Sequence, residues 1–431
     1  MTHLCVAIYV QDVAKAKRDI ALSAESGADL VELRIDTVND AEPVREIATS
    51  AIIPCIVTCR PEWEGGLSQL TDEERLKQLE AATIGNVRYI DLELKTLQRV
   101  TSEIAWGQII ASSHDFKGRP PRISNIVLEM NQSVASINKL VWMARSIRDN
   151  IEAFELLQHR QKPTIALCMG EAGLISRVLA KKFGAFLTFA SLRDESATAP
   201  GQVTIADMKR LYRWDALNPQ TKVYGVVGSP IMHSMSPAIH NAAFETVGHD
   251  GVYLPMLVQG GYESFKAFME SFLEFAPLDL SGLSVTIPHK ENAVRYLKEK
   301  GADVEPLAEQ IGAVNTIIIE RTGDVMKLRG INTDYAAILD TITSALGMHP
   351  NVDASPFGDR IPELSDRTLV FDTVYNPMET KLLKQAKSAG AKTVGGVEMF
   401  VRQAVRQFEA WTGQPAPVHV MRRVIEDRLQ K

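Results

Sequence analysis

The chain lacks any apolar run near the ~20 residues that a membrane-spanning helix needs, so no membrane partner is expected. Cysteine is scarce. Four of 431 residues are Cys5, Cys55, Cys59 and Cys168, all in the first half. Cys55 and Cys59 bracket PCIVTC, but no histidine or further cysteine pair stands near enough to complete a zinc site, so no metal is expected. The four read as reduced, buried strand thiols of a cytosolic protein. The opening MTHLCVAIYVQD has neither a basic region nor a cleavage site and reads as a first strand, so a cytoplasmic protein is expected. An excess of positive charge is also missing: 47 Lys and Arg stand against 53 Asp and Glu, and the net charge of −6 argues against nucleic acid as a partner. No repeat and no low-complexity segment occurs. The most consequential absence is a glycine-rich G-x-G-x-x-G or G-x-G-G turn, which is found nowhere in the chain.

What is present fits two α/β domains of ordinary composition, 45% hydrophobic and 23% charged. From residue 4 to about 192, eight short apolar runs alternate with amphipathic helical stretches such as DVAKAKRDIALSAESG. The runs are LCVAIYV (4–10), DLVELRID (29–36), IPCIVTCR (53–60), YIDLEL (89–94), QIIASS (108–113), ASINKLV (135–141), PTIALCM (163–169) and FLTFASL (186–192). Eight strand–helix units in that length predict a closed (β/α)₈ TIM barrel, although YIDLEL and ASINKLV are also legal as helix fragments. DALNPQTK (215–222) is a seam, with Asn218-Pro219 as its turn signal. After it, YGVVG, GVYLPML, GLSVTIP and NTIIIE read as strands of an open α/β sheet. The domains are therefore drawn at 1–217 and 222–431.

Barrel chemistry belongs at the C-terminal ends of the strands. In VELRID the alternation puts Val31, Leu33 and Ile35 on one face and Glu32, Arg34 and Asp36 on the other, which should look into the barrel mouth. Arg60 ends the third run, Glu64 follows in the EGG loop, and His114 ends the fifth. Lys139 shares its face with Ile137 and Val141. A lysine on the apolar face of a core strand needs a partner or a task. Desolvation favours the neutral amine, a nucleophile able to form a Schiff base with a ketone; the alternative is a structural lysine paired to Glu32 or Asp36. His114 alone could simply cap the turn that follows it.

In order, ELRID, TCRPEWEGG, SSHDF, the lysine of NKLVWMA, MGEAGLISR and APGQ resemble the type I 3-dehydroquinate dehydratases over residues 3–213. The resemblance implies that Lys139 forms an imine with the substrate's C3 ketone, while His114 removes the C2 proton and later protonates the departing C1 hydroxyl. By the same resemblance Glu64 orients His114, Arg177 and Gln202 hold the carboxylate end, and Glu32, Arg34 and Arg60 hold the hydroxyl side. Thr198 stands where the family usually has serine. No cofactor is implied.

In the second domain, SPIMHSMSPAIHN offers Ser234 and Ser236, SVTIPHKE offers Thr286 and Lys290, GAVNT offers Asn315, and GINTD offers Asp334. Each alone has an ordinary reading as a cap, a solvated helix residue or a turn. Together with VYNPMET and GGVEMFVRQAVRQFEAWTG they resemble shikimate dehydrogenase. The resemblance implies that Ser234, Ser236, Thr286, Asn315, Tyr375 and Gln403 bind shikimate, and that Lys290 and Asp334 are the catalytic pair. NADP is the family's cofactor. Its binding lobe should follow Asp334 as a strand, a glycine-rich turn and a basic NRT motif. Here Asp334 and Tyr375 stand too close for that lobe, and both motifs are missing. The expectation is a substrate lobe (about 222–340), a truncated Rossmann lobe (about 341–394) and C-terminal helices (about 395–431), with an excision between about Ile342 and Gly347. The reading is a bifunctional shikimate-pathway chain with an active dehydratase and a weak or inactive dehydrogenase. The alternative is a dehydratase fused to a non-catalytic shikimate-binding or regulatory module.

Overall fold

A computed structural model describes residues 2–99, 108–196, 198–323, 325–346, 364–373 and 379–429. The chain forms two compact units, one built mainly from residues up to Thr221 and the other mainly from Lys222 onward.

The first unit holds eight parallel strands: β1 (His3–Tyr9), β2 (Leu30–Arg34), β3 (Cys55–Thr58), β4 (Val87–Glu93), β5 (Gln108–Asp115), β6 (Ile137–Met143), β7 (Thr164–Met169) and β8 (Leu187–Ala190). Their order is β7-β6-β5-β4-β3-β2-β1-β8. The ring closes where the Phe186 N–H donates to the Thr164 carbonyl at 2.8 Å. This is the (β/α)₈ barrel expected from the sequence, and YIDLEL and INKLVWM are strands. Apolar residues of alternate register, among them Cys5, Ile56, Ile110, Ile137, Val141, Ile165 and Leu187, pack together as a buried cluster. Its helices start on local signals. Asp12 accepts from the Lys15 N–H to open Val13–Glu25, and Thr71 and Glu74 form a capping box at the head of Asp72–Ala82.

The second unit carries β9 (Lys222–Gly228), β10 (Gly251–Leu257), β11 (Leu280–Val285), β12 (Asp303–Val304), β13 (Thr316–Thr322) and β14 (Val325–Ile331), in the order β10-β9-β11-β13-β14-β12. β9 and β11 are parallel, while β13 runs antiparallel to both β11 and β14. The four strands read from sequence are present, and β12 and β14 are additional. Beyond the helix Thr333–Leu346, the described residues hold a two-stranded parallel sheet, β15 (Leu369–Phe371) and β16 (Lys392–Val394), with the helix Lys381–Ser388 between them. This is the region expected from the sequence as a truncated Rossmann lobe; KTV at 392–394 is too short to announce itself as a strand. The helix Gly396–Thr412 follows and packs on Thr333–Leu346. Tyr375 and GMHPNVDASP lie outside the described residues.

Candidate active sites

In the barrel, one small cavity of about 60 Å³ brings together every expected residue of that domain: Glu32, Arg34, Arg60, Glu64, His114, Lys139, Arg177, Thr198 and Gln202. Strand alternation turns Glu32, Arg34 and Lys139 inward, while Glu64, Arg177, Thr198 and Gln202 come from segments that follow the strands. Lys139 points inward from β6 beside Ile137 and Val141 and is 4% exposed. Its Nζ donates to Asp91 Oδ2 at 2.7 Å and lies 3.4 Å from Glu32 Oε1 and 4.4 Å from the centre of the Phe189 ring. The pairing with Asp36 considered from the sequence does not form, because Arg34 takes both oxygens of Asp36, at 3.1 and 2.6 Å. The main partner is instead Asp91, on β4. Burial opposes the Asp91 charge, yet Arg60 and Lys139 hold its carboxyl well below the ordinary range.

His114 does not cap the turn after β5. Asp115 does that, accepting from the Lys117 and Gly118 N–H groups at 2.8 and 3.2 Å. The imidazole is left to face the cavity, with Nδ1 3.2 Å from Glu64 Oε1, and its own backbone N–H donates to the same oxygen at 2.8 Å. Burial, reinforced by Arg60 and Lys139, pushes His114 well below 6.5, so its ring is neutral at pH 7. Burial pushes Glu64 up to about 7. Glu64 is held by the EGG turn, where a Cβ on Gly66 would stand 2.1 Å from the Arg60 carbonyl oxygen. Only glycine allows that approach.

Arg177, on the short helix Leu174–Val178, is 2% exposed, and no carboxylate pairs with it among the described residues. Its Nε has no hydrogen-bond partner. Burial lowers it to about 10. A buried guanidinium without a counter-charge is a place prepared for an anion. Gln202 Oε1 accepts from the Thr198 N–H at 2.7 Å and from its hydroxyl at 3.2 Å, so threonine makes the contact a serine would.

Sequence reasoning missed Asp91, Glu93 and Ser112. Arg60 NH2 donates to Asp91 Oδ1 at 2.6 Å, and NH1 donates to Glu93 Oε1 and Ser112 Oγ, both at 2.7 Å. The signal was available: once YIDLEL is a strand, Asp91 and Glu93 share one face.

In the second unit a cavity of about 400 Å³ is lined by Ser234, Ser236, Thr286, Lys290, Asn315, Asp334 and Gln403. Ser236 opens the helix Ser236–Val247, Thr286 follows β11, and Lys290 opens the helix Lys290–Glu299. Lys290 Nζ meets Asp334 Oδ2 at 2.6 Å. Asn315 is also bonded within the cavity wall. Its Nδ2 donates to Thr333 Oγ1 at 3.0 Å and its Oδ1 accepts from the Thr316 hydroxyl at 2.7 Å, so it braces the cavity wall. Ser284, Gln407, Thr373 and Met399 also line the cavity and were not singled out from sequence. Gln407 Oε1 accepts from Ser284 Oγ at 2.8 Å, which fixes both.

At the β15 turn, the Thr380 hydroxyl donates to Asp372 Oδ2 and accepts from the Leu383 N–H, so a carboxylate sits at the helix N-terminus that an anion would need.

Fold and sites together define a two-domain α/β protein, a (β/α)₈ barrel with a buried lysine and histidine in its cavity, followed by an α/β lobe with a polar cavity. Residues 4–219 match the type I 3-dehydroquinase model, residues 226–317 the shikimate dehydrogenase substrate binding domain, and residues 396–426 the shikimate 5'-dehydrogenase C-terminal domain. The chloroplastic bifunctional 3-dehydroquinate dehydratase/shikimate dehydrogenase of Arabidopsis thaliana is 33% identical over 512 residues, covering 96% of this chain and 82% of that one. Because the chain has 431 residues, roughly a hundred positions of that alignment have no residue here. The shikimate dehydrogenase (NADP(+)) of Methanosarcina acetivorans is 31% identical over 290 residues, covering 48% of this chain and 99% of that one. The crystal structure of the 3-dehydroquinate dehydratase of Geobacillus kaustophilus superposes with a TM-score of 0.45 at 26% identity, over 48% of this chain and 89% of the other. The chain belongs to the bifunctional 3-dehydroquinate dehydratase/shikimate dehydrogenase family.

Proposed function

We propose that the barrel dehydrates 3-dehydroquinate to 3-dehydroshikimate through an imine on Lys139, and that the second domain binds shikimate-like ring acids with little or no NADP-dependent turnover. The observation that carries the first part is one cavity holding a buried lysine, a neutral histidine and a guanidinium that no carboxylate meets among the described residues. The unprotonated Lys139 amine adds through Nζ to the C3 carbonyl, whose oxygen takes up the two amine protons and leaves as water. The imine draws electrons from the C2–H bond, and neutral His114 removes that proton. The C2 electron pair forms the C1–C2 double bond as the C1 hydroxyl leaves, protonated by the imidazolium. Glu64 steadies the ring throughout. Water then hydrolyses the imine and restores Lys139. Arg177 and Gln202 hold the carboxylate, while Glu32, Arg34 and Arg60 lie on the hydroxyl side. The same placement predicts that Lys139→Ala leaves background dehydratase rates; undiminished turnover would refute the imine.

For the second domain, support comes from the formed Lys290–Asp334 pair and intact cavity set beside the occupied helix terminus at Asp372. The roughly hundred unmatched positions against the plant relative agree with a lobe cut short. NADPH would supply hydride if bound, but no group among the described residues holds its phosphates. Calorimetric titration separates the cases: saturable shikimate binding with no NADPH heat is expected, and tight NADPH binding would overturn the reading. Among the described residues no helix is long and apolar enough to cross a membrane. The four buried free thiols suit a reducing compartment such as the cytoplasm.

A further inference from the structure

Behind the barrel cavity lies a line of buried charges that alternate in sign. Asp91 offers one oxygen to Lys139 and the other to Arg60, at 2.7 and 2.6 Å. Glu93 offers one oxygen to Arg60 at 2.7 Å and the other to Arg75 at 2.8 Å. Arg75 belongs to the helix Asp72–Ala82, outside the ring of strands, and is fully buried. Its NH1 donates to the Cys59 carbonyl at 2.6 Å, and its NH2 also reaches Asp72 Oδ1 at 2.8 Å and Thr96 Oγ1 at 3.0 Å. We propose that Arg75 is a positioning residue for the barrel's chemistry, setting through Glu93, Arg60 and Asp91 how firmly the Lys139 amine holds its proton. The proposal rests on the imine reading above.

The coupling is electrostatic. Each carboxylate in the line is shared between two cations, so the claim of one cation weakens the hold on the next. Without Arg75, Glu93 turns wholly to Arg60, Arg60 loosens from Asp91, and Asp91 is left to Lys139. The interior also becomes one charge more negative. Both changes favour ammonium over amine, and the second acts through a medium far less screening than water. The other charged and titratable groups facing Lys139 stay in place. They are Glu32 and Arg34 from β2, Glu64 from the EGG turn, His114 from β5, Arg177 from the helix Leu174–Val178, and the Cys5 thiol from β1, which burial keeps protonated. Phe189 faces it from β8 and carries no charge. Removing Glu93 has the opposite sign, because Arg60 then gives itself to Asp91.

The test uses the full chain with 3-dehydroshikimate and sodium cyanoborohydride. Nζ adds to the ketone, water leaves, and hydride from the reagent reduces the imine to a stable secondary amine, read as a mass increase on Lys139. The rate of trapping against pH has an acid limb where the amine becomes protonated. Arg75→Met should move that limb up by at least about 0.5 pH unit. Glu93→Gln should move it down, and the double variant should return it toward the parent. Melting temperatures are recorded alongside, because a purely structural arginine would lower stability without moving the limb. If Arg75→Met does not fold, the downward shift in Glu93→Gln still decides, and an unmoved or upward limb overturns the proposal. An adduct in the parent with identical limbs in all variants also overturns it. Absence of any adduct in the parent refutes the imine reading instead.

Discussion

Replacing Arg177 with methionine removes a charge that the folded barrel holds at a cost. The guanidinium is 2% exposed, lacks a carboxylate partner among the described residues, and is lowered by burial from its ordinary range to about 10. Lowering a pKa by one pH unit corresponds to about 1.4 kcal/mol, so the charged form costs the empty protein about 3 kcal/mol. The sign follows from the direction. A base lowered in the folded state carries this penalty at every pH below about 10, so it is in full force at neutrality. Methionine fills much of the same space without the charge. The barrel should therefore melt higher, by roughly 6–12 °C if the domain converts stability to temperature as others of its size do. Affinity should move the opposite way. A substrate carboxylate that paired with Arg177 loses a charge-assisted hydrogen bond, weakening 3-dehydroshikimate binding by roughly 10- to 100-fold. Scanning calorimetry at pH 7 and titration with 3-dehydroshikimate read the two effects. A variant that melts at or below the parent, or binds the product equally well, would refute the assignment of Arg177 as a prepared anion site.

Glu64→Gln tests the other buried group. Glu64 is raised from 4.5 to about 7, so its contribution to stability is fully present below pH 4.5 and is lost as pH rises through 7, by about 3 kcal/mol. His114, lowered below 6.5, works with the opposite sign across this window, so the difference between the parent and Gln stability curves is the quantity to measure. Gly66→Ala should cost the dehydratase most of its activity, because the new methyl meets the Arg60 carbonyl and displaces the EGG turn that holds Glu64; steady-state kinetics checks it. In the second domain, Asp334→Asn should leave Lys290 without its charged partner and change shikimate affinity while leaving dehydratase rates at parent values. Paired calorimetry and turnover assays report both.

The barrel was legible because its strands carry their own periodicity. VELRID separates Val31, Leu33 and Ile35 from Glu32, Arg34 and Asp36, and the structure keeps that division. Asp91 escaped notice for a local reason and a distant one. YIDLEL is short enough to suit a helix, and its aspartate meets a lysine 48 residues later, a pairing that only the closed ring creates. Arg75 looked like one charge in a charged helix, DEERLKQLEAA. Its burial depends on Glu93 and Thr96 standing behind it. β14 was missed because Val325, Met326 and Lys327 are all exposed, so no apolar alternation marks the strand. In the second domain Ser284 and Gln407 were passed over because their roles depend on each other, and one sequence alone does not pair residues 123 positions apart.

One incubation of the purified chain with 3-dehydroquinate and NADPH, with products read by mass spectrometry, tests both domains at once. 3-Dehydroshikimate should accumulate while NADPH is left essentially unconsumed. Conversion onward to shikimate would contradict the reading of the shortened nucleotide lobe, and no product at all would contradict the roles given to Lys139 and His114.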